Sequence, residues 1–513
     1  MIGGAYVLVV LGTVFAKAIG FLRNLVFASA FGTSSTADNY NQIFGLVTFV
    51  FTGIGVALST LLIKNLNKEE NTGEEKQKAY VGAFLRKTML WLTVATAIMY
   101  AFARPLTHLV LPNVEGDSFY QALMLMRIMI PSMASVIIAY IISGVLQNNR
   151  VFFITSIMSL PFNVLIIATL FFPNVSIFWV GVATTVGWFS HILIQLPAFY
   201  KKGYSFLYRG AKETVKKSGS VSYEALFIFV SNMMFQLCFI IDKAFASGAD
   251  GKTATLGYAS ELFVTISSVF VVAMSTVVFP AISKNYEEGN LDYVRELIQY
   301  LFIIMMVIFI PYLLVVSFFG EPVIALLYER GKFTAESTHM TARIFLIYSF
   351  GIFGYIAQDL FNKVLYLASK YVYTLVGTIA VVGINLFADL MLTRHTEYGI
   401  EASAIVTTIL LSTYAVNVAV ALYRVLGKYW SRTMGIRFAK ILLSGGAAVI
   451  VYFAFRMFAP GLVASKFLFI IPLACCGVVY LGMLYGTGIL KQLVQKVDRT
   501  GESEPRAIEE VKE

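Results

Sequence analysis

Apolar stretches of twenty or more residues recur from one end of this 513-residue chain to the other. Each is long enough to cross a bilayer as an α-helix at 1.5 Å per residue. No other feature constrains the fold so strongly. A backbone in hydrocarbon must satisfy its own hydrogen bonds, which leaves helices or closed barrels. Composition agrees: 58% of residues are hydrophobic, 13% are charged and mean hydropathy is +0.76, which excludes an ordinary soluble domain. The expected fold is an all-α polytopic membrane protein of about fourteen spans, near 5–30, 39–63, 80–103, 120–146, 151–172, 176–199, 221–246, 254–281, 294–319, 339–367, 371–393, 399–423, 438–458 and 466–488. The first run is too long for a cleavable signal peptide and lacks a small-residue cleavage site. Cys238, Cys475 and Cys476 lie in apolar spans without redox or metal spacing and read as packing residues, and the four histidines form no ligand pattern.

Basic residues follow the even-numbered spans: Lys64, Lys68, Lys76 and Lys78 after the second, Lys201, Lys202, Arg209, Lys212, Lys216 and Lys217 after the sixth, and Arg424, Lys428 and Arg432 after the twelfth. The first connection has none. The positive-inside rule therefore predicts cytoplasmic even connections and two cytoplasmic termini. That topology accounts for the net charge of +10 without invoking nucleic acid.

The chain also resembles itself. Phe27-Ala28-Ser29, Tyr40, Ser59-Thr60 and Lys64-Asn65 return as Phe245-Ala246-Ser247, Tyr258, Ser275-Thr276 and Lys284-Asn285, at offsets of 218, 218, 216 and 220 residues. Both copies begin with an odd-numbered span, which predicts parallel repeats with a substrate site between them. The expected organisation is a six-helix lobe at 1–200, a basic linker at 201–219, a second pseudo-symmetric six-helix lobe at 220–427, two added spans at 428–488 and a charged tail at 489–513.

Charges inside the spans point to function, because they are costly at membrane depth and face protein or a watery cavity. Lys17 lies about 16 Å into the first helix, near mid-bilayer. Arg23 lies nearer the far end, where snorkelling toward the interface is the alternative. An ideal helix would point the two apart, and Gly20 between them permits a bend that brings both to one cavity. Two cations facing a cavity suggest an anionic substrate. In the second half, Asp242 and Lys243 align with Asn24 and its neighbour, and Glu261 follows early in the next span. Asp359 and Lys363, four apart, can pair on one helical face. Asn385 and Asp389, also four apart, can converge with Asp242 and Thr407 into an oxygen-rich site for a hard cation such as sodium. The competing reading pairs Asp389 with a basic residue or puts it at the outer interface beside Arg394. No phosphate loop, zinc motif or large extramembrane domain suggests an enzyme.

Several ordered motifs resemble one family, the MurJ (MviN) lipid II flippases of the multidrug/oligosaccharidyl-lipid/polysaccharide exporter superfamily. They are Gly20-Phe21-Leu22-Arg23, Phe31-Gly32 with Thr36-Ala37-Asp38, Ile241-Asp242-Lys243-Ala244-Phe245-Ala246-Ser247, Pro280-Ala281-Ile282-Ser283-Lys284, Gly289-Asn290 and Gly331-Lys332-Phe333-Thr334. The resemblance implies a two-lobed transporter in a bacterial cell membrane. It would carry a polyprenyl-pyrophosphate-linked glycan, foremost lipid II for peptidoglycan, by alternating access. The resemblance assigns Lys17, Arg23, Asn24, Asp38 and Glu261 to the substrate, and Asp242, Asn385, Asp389 and Thr407 to sodium. Spans 13 and 14 would shelter the lipid tail, and cell-wall synthesis enzymes would be partners. Two positions depart from the family pattern. Its span-two arginine is replaced by an apolar residue near Phe51, and its span-eight arginine aligns with Glu261. A paralogue that moves a capsule, exopolysaccharide or teichoic-type intermediate therefore stays open, as do a drug exporter and a membrane scaffold.

Overall fold

The structure is a computed structural model that describes residues 2–66, 73–206, 223–392 and 399–492. Most of the expected basic linker and charged tail lies outside the described residues. The described chain contains helices and turns and no strand. In order, the helices are α1 (Ile2–Phe31), α2 (Ser35–Leu66), α3 (Glu74–Ala101), α4 (Ala103–Val110), α5 (Gly116–Met129), α6 (Ser132–Asn148), α7 (Phe153–Ser156), α8 (Leu160–Leu170), α9 (Ile177–Lys201), α10 (Tyr223–Phe245), α11 (Lys252–Val277), α12 (Phe279–Glu287), α13 (Leu291–Tyr328), α14 (Ala335–Phe350), α15 (Ile352–Leu367), α16 (Tyr371–Leu392), α17 (Gly399–Leu426), α18 (Arg432–Phe458), α19 (Pro460–Ala464) and α20 (Ile470–Gly486).

Helices stand at all fourteen expected positions, and most of them meet a membrane-crossing length and apolarity. Among the described residues ten are long and apolar enough, or twelve if each of two bent pairs is one span. Of the two left over, α20 has only 17 residues, about 26 Å of helix against a hydrocarbon core of about 30 Å. The bent pairs have local causes. Pro131 separates α5 from α6, which meet at 40°, and at the break the Ser132 hydroxyl donates to the Met129 carbonyl, whose i+4 donor, the Met133 N–H, bonds the Ile130 carbonyl instead. Gly351 separates α14 from α15 with the same angle. The molecule is a multi-pass membrane protein, and its burial runs opposite to that of a soluble one. Phe171, Phe458 and Val478 are 75%, 80% and 72% exposed, whereas Gln42, Gln195, Asp242 and Asp389 are wholly buried.

Two compact units emerge. The first comprises Met1–Tyr258, Tyr328–Ser337 and Thr378–Ser403. Here α2 packs along α6, and α8 and α1 pack with α9 and α8 respectively. Gly144 permits the first of these approaches: a Cβ there would lie 1.9 Å from Ser59 Oγ. Small residues at such crossings let helix backbones come close. The second unit comprises Ala259–Leu327, Thr338–Gly377 and Ala404–Glu513. In it α18 and α20 form a helical pair against α13, tied by the Tyr480 hydroxyl donating to the Val307 carbonyl at 2.8 Å. An apolar cleft of about 50 Å³ opens between these three helices beside Pro311, Phe318, Ala448, Tyr452 and Leu473. The expected Asp359–Lys363 pair forms on α15 at 2.6 Å.

Candidate functional site

The first unit holds two charged centres. The positive one is built on α1, a helix that runs unbroken through Gly20. The Asn163 side chain of α8 comes within 3.6 Å of where a Cβ on Gly20 would stand, an ordinary van der Waals approach. In a continuous helix six residues turn the side chains about 120° apart, and Lys17 and Arg23 differ accordingly. Lys17 is half-buried, and Arg23 is buried with 9% exposure. The Arg23 Nε and Nη2 donate to Asn24 Oδ1 at 3.1 and 2.7 Å. Its guanidinium carbon lies over the ring of Phe44 on α2 at 4.8 Å and over that of Phe162 on α8 at 5.4 Å. Aromatic faces attract a cation through their quadrupole, the more so where water is excluded.

Asp38 lies at a different kind of place. Its two carboxylate oxygens accept from the backbone N–H groups of Gly251, at 2.8 Å, and Ala254. The first turn of α11 is thus capped by a carboxylate more than two hundred residues away in sequence, satisfying donors that a helix start leaves open. Around it the α1–α2 turn meets two other loops. Tyr258 donates to the Gly32 carbonyl at 2.8 Å, Lys332 N–H to the Ser29 carbonyl at 2.8 Å, and Thr33 shares a hydrogen with Ser337 at 2.7 Å. Gly331, at φ +58°, lies so close that a Cβ would stand 2.3 Å from the Ser29 carbonyl oxygen. Asp38 is therefore a structural clasp of this latch in the state described.

The negative centre joins α10 and α16. Asn385 Nδ2 donates to Asp242 Oδ1 at 3.1 Å, and Asp242, Asn385 and Asp389 are all wholly buried. Ser403 and Asp242 lie against Asp389, yet neither Asp389 carboxylate oxygen receives a hydrogen bond of standard geometry. A buried carboxylate in that condition is unfavourable unless a cation or a proton neutralises it. Carboxylate and amide oxygens suit a hard cation, so these residues fit sodium. Arg394, beside which the competing reading puts Asp389, lies outside the described residues. Three of the four expected cation ligands thus share a unit. Thr407, buried on α17, and Glu261, half-buried on α11, belong to the second unit.

One residue outside the expected site also stands out. Lys243 is buried with 9% exposure, and its Nζ lies 3.2 Å from where a Cβ on Gly45 would be. A second cation therefore reaches α2 beside Phe44. The repeat that aligns Lys243 with the neighbour of Asn24 was its signal.

Comparison with known proteins fits this geometry. The sequence model of the family described as lipid II flippase MurJ matches residues 27–473. A probable lipid II flippase MurJ of Buchnera aphidicola subsp. Acyrthosiphon pisum is 24% identical over 69% of this chain and 71% of its own. The lipid II flippase MurJ of Burkholderia cenocepacia is 25% identical over 67% and 69% respectively. Among solved structures, a lipid II flippase MurJ in an inward-closed conformation superposes with a TM-score of 0.76 at 20% identity, covering 95% of this chain and 99% of that one. An inward-facing multidrug resistance MATE family transporter of the MOP superfamily gives 0.62 at 14% identity over 80% and 95%. The fold is thus that of the MOP transporters, and with a family match running from α1 into α20, this chain belongs to the lipid II flippase MurJ family.

Proposed function

We propose that this protein translocates lipid II, a polyprenyl-pyrophosphate-linked peptidoglycan precursor, from the cytoplasmic to the outer leaflet of a bacterial cell membrane. The observation that carries the reading is the Arg23 guanidinium, buried in a membrane-crossing helix and held by an uncharged amide and two aromatic faces. A guanidinium offers paired N–H groups that match phosphate oxygens, and a pyrophosphate is the substrate group that such a cation suits. Lys17 supplies a second charge without the planar fork. The cleft beside Pro311 and Tyr452 is apolar, in keeping with a lipid tail. Asp242, Asn385 and Asp389 would hold a sodium ion, which supplies positive charge to two buried carboxylates. Coupling to transport requires that the ion bind the inward- and outward-open states with different affinity. The even connections and both termini face the cytoplasm in this reading, in accord with the loop lysines and arginines. Family membership favours lipid II over a capsule or teichoic-type intermediate.

The test is complementation of a bacterium depleted of its lipid II flippase. The wild-type chain should restore growth, and Arg23→Ala, at equal membrane abundance, should not. Failure of the wild type to rescue while present in the membrane would move the substrate to another lipid-linked glycan. Rescue by both would remove Arg23 from the mechanism.

A further inference from the structure

We propose that Phe44 and Phe162 form an aromatic clamp that positions the Arg23 guanidinium for the substrate phosphates, an inference that rests on the role of Arg23 just given. The two rings come from different helices, α2 and α8, and lie nearly parallel, 13° apart with centroids 6.2 Å from each other. The guanidinium carbon sits over both, at 4.8 and 5.4 Å. Each ring is itself fixed from behind. Tyr40 stacks on Phe44 at 5.6 Å and 5°, and Trp188 packs on Phe162 at 4.8 Å. Phe162 is buried and Phe44 half-buried, each held by a further ring of the first unit.

This arrangement has three chemical consequences. The guanidinium carbon lies over both rings, whereas its N–H donors lie in the guanidinium plane, so the attraction to the rings and the hydrogen bonds to a phosphate are separate properties of one group. The ring quadrupoles also offset part of the desolvation of a cation placed at membrane depth. Finally, a side chain already held in one rotamer loses less freedom when a phosphate docks on it. The clamp thus specifies arginine, because a lysine ammonium has no planar face to stack. Position 17 carries lysine, which keeps the charge without that planar group.

The test uses the full-length protein in detergent with farnesyl pyrophosphate as the probe. Phe162 is replaced by phenylalanines carrying one, two and three ring fluorines, which keep the shape and progressively drain the ring's electron density. The dissociation constant should rise stepwise, by about fivefold at the third fluorine, with the thermal midpoint unchanged. A flat series overturns the clamp, since a packing role would not sense ring electrons. Arg23→Ala is measured beside it. Loss of binding there with a flat series condemns the clamp alone, whereas wild-type binding by Arg23→Ala removes the phosphate role of Arg23 and the clamp with it. If the fluorinated protein is poorly made, Phe162→Leu should weaken binding and Phe162→Trp should restore it, and equal binding by both would again sink the proposal.

Discussion

The two charged centres of the first unit solve opposite problems. Arg23 is a buried cation whose surroundings already suit it: an amide oxygen takes two of its donors and its guanidinium carbon lies over two aromatic rings. Asp389 is a buried anion whose oxygens receive no well-formed hydrogen bond, with a second carboxylate, Asp242, against it. A charge that is satisfied in the resting protein serves as a fixed recognition element. A charge left wanting is a binding site for something mobile, because the protein gains stability only when that partner arrives. On the function proposed above, the first centre would read the substrate and the second would respond to an ion.

The largest effect should come from removing the cation of the satisfied centre. Arg23→Ala is expected to weaken farnesyl pyrophosphate binding on the order of 100-fold, the size of a charge-assisted pair of hydrogen bonds. Arg23→Lys should recover only a small part of it, because the charge returns without the fork or the stacking face. Titration of the three proteins with the same probe decides the matter, and a lysine variant equal to wild type would erase the distinction between positions 17 and 23.

Next in size is the ion response of the unsatisfied centre. Sodium at tenfold over its dissociation constant should stabilise the folded state by about 1.4 kcal/mol, a rise of about 2 °C in thermal midpoint for a chain of this size. Choline at equal ionic strength should give none of it. Asp389→Asn removes the buried charge while keeping the shape, so its midpoint should no longer distinguish the two salts. A wild type indifferent to sodium but stabilised by acid would assign the centre to protons instead.

Part of this contrast was legible in the sequence and part was not. Lys17 and Arg23 announce themselves as charges in an apolar run, and the spacing of Asn385 and Asp389 puts both on one side of a helix before any coordinates. The rings that hold Arg23 could not be read, because Phe44 and Phe162 are two among 43 phenylalanines and nothing local marks which of them face inward. Asp38 was legible as a polar residue at a helix start but not as the cap of a different helix, since that contact spans 213 and 216 residues. Gly20 was legible as a place where a bend is permitted, but not as the point where Asn163 of α8 approaches α1. The physical reason is common to all three: sequence fixes which face a residue occupies, and long-range packing decides what meets it there.

The latch around Asp38 gives a smaller effect that tests whether the satisfied centre depends on the state described. Gly331→Ala would place a Cβ 2.3 Å from the Ser29 carbonyl oxygen at a positive φ, which costs about 1–3 kcal/mol in strain. The loops should part, raising the labelling rate of a cysteine introduced at Thr33 by about tenfold. Arg23 lies six residues before Ser29 in the same unbroken helix, and farnesyl pyrophosphate binding should stay within about twofold of wild type. A large loss would mean that the Arg23 centre is assembled by the latch and is not fixed by its own neighbours.

Asn24→Ala is the finest test of what satisfies Arg23. It deletes the oxygen that accepts from Nε and Nη2 and leaves both rings in place. A neutral acceptor bonded to a charged donor contributes about 1.5–3 kcal/mol in general, but most of that should be recovered here. The released donors point along the edge of the guanidinium, where a phosphate oxygen can accept them instead, so free-protein stability falls while the bound complex loses little. The expected result is a thermal midpoint lower by about 2 °C with farnesyl pyrophosphate affinity changed by less than about threefold. Were affinity to fall as far as in Arg23→Ala, the amide and not the rings would hold the guanidinium in place, and the satisfied centre would be a hydrogen-bonded pair in which stacking is incidental.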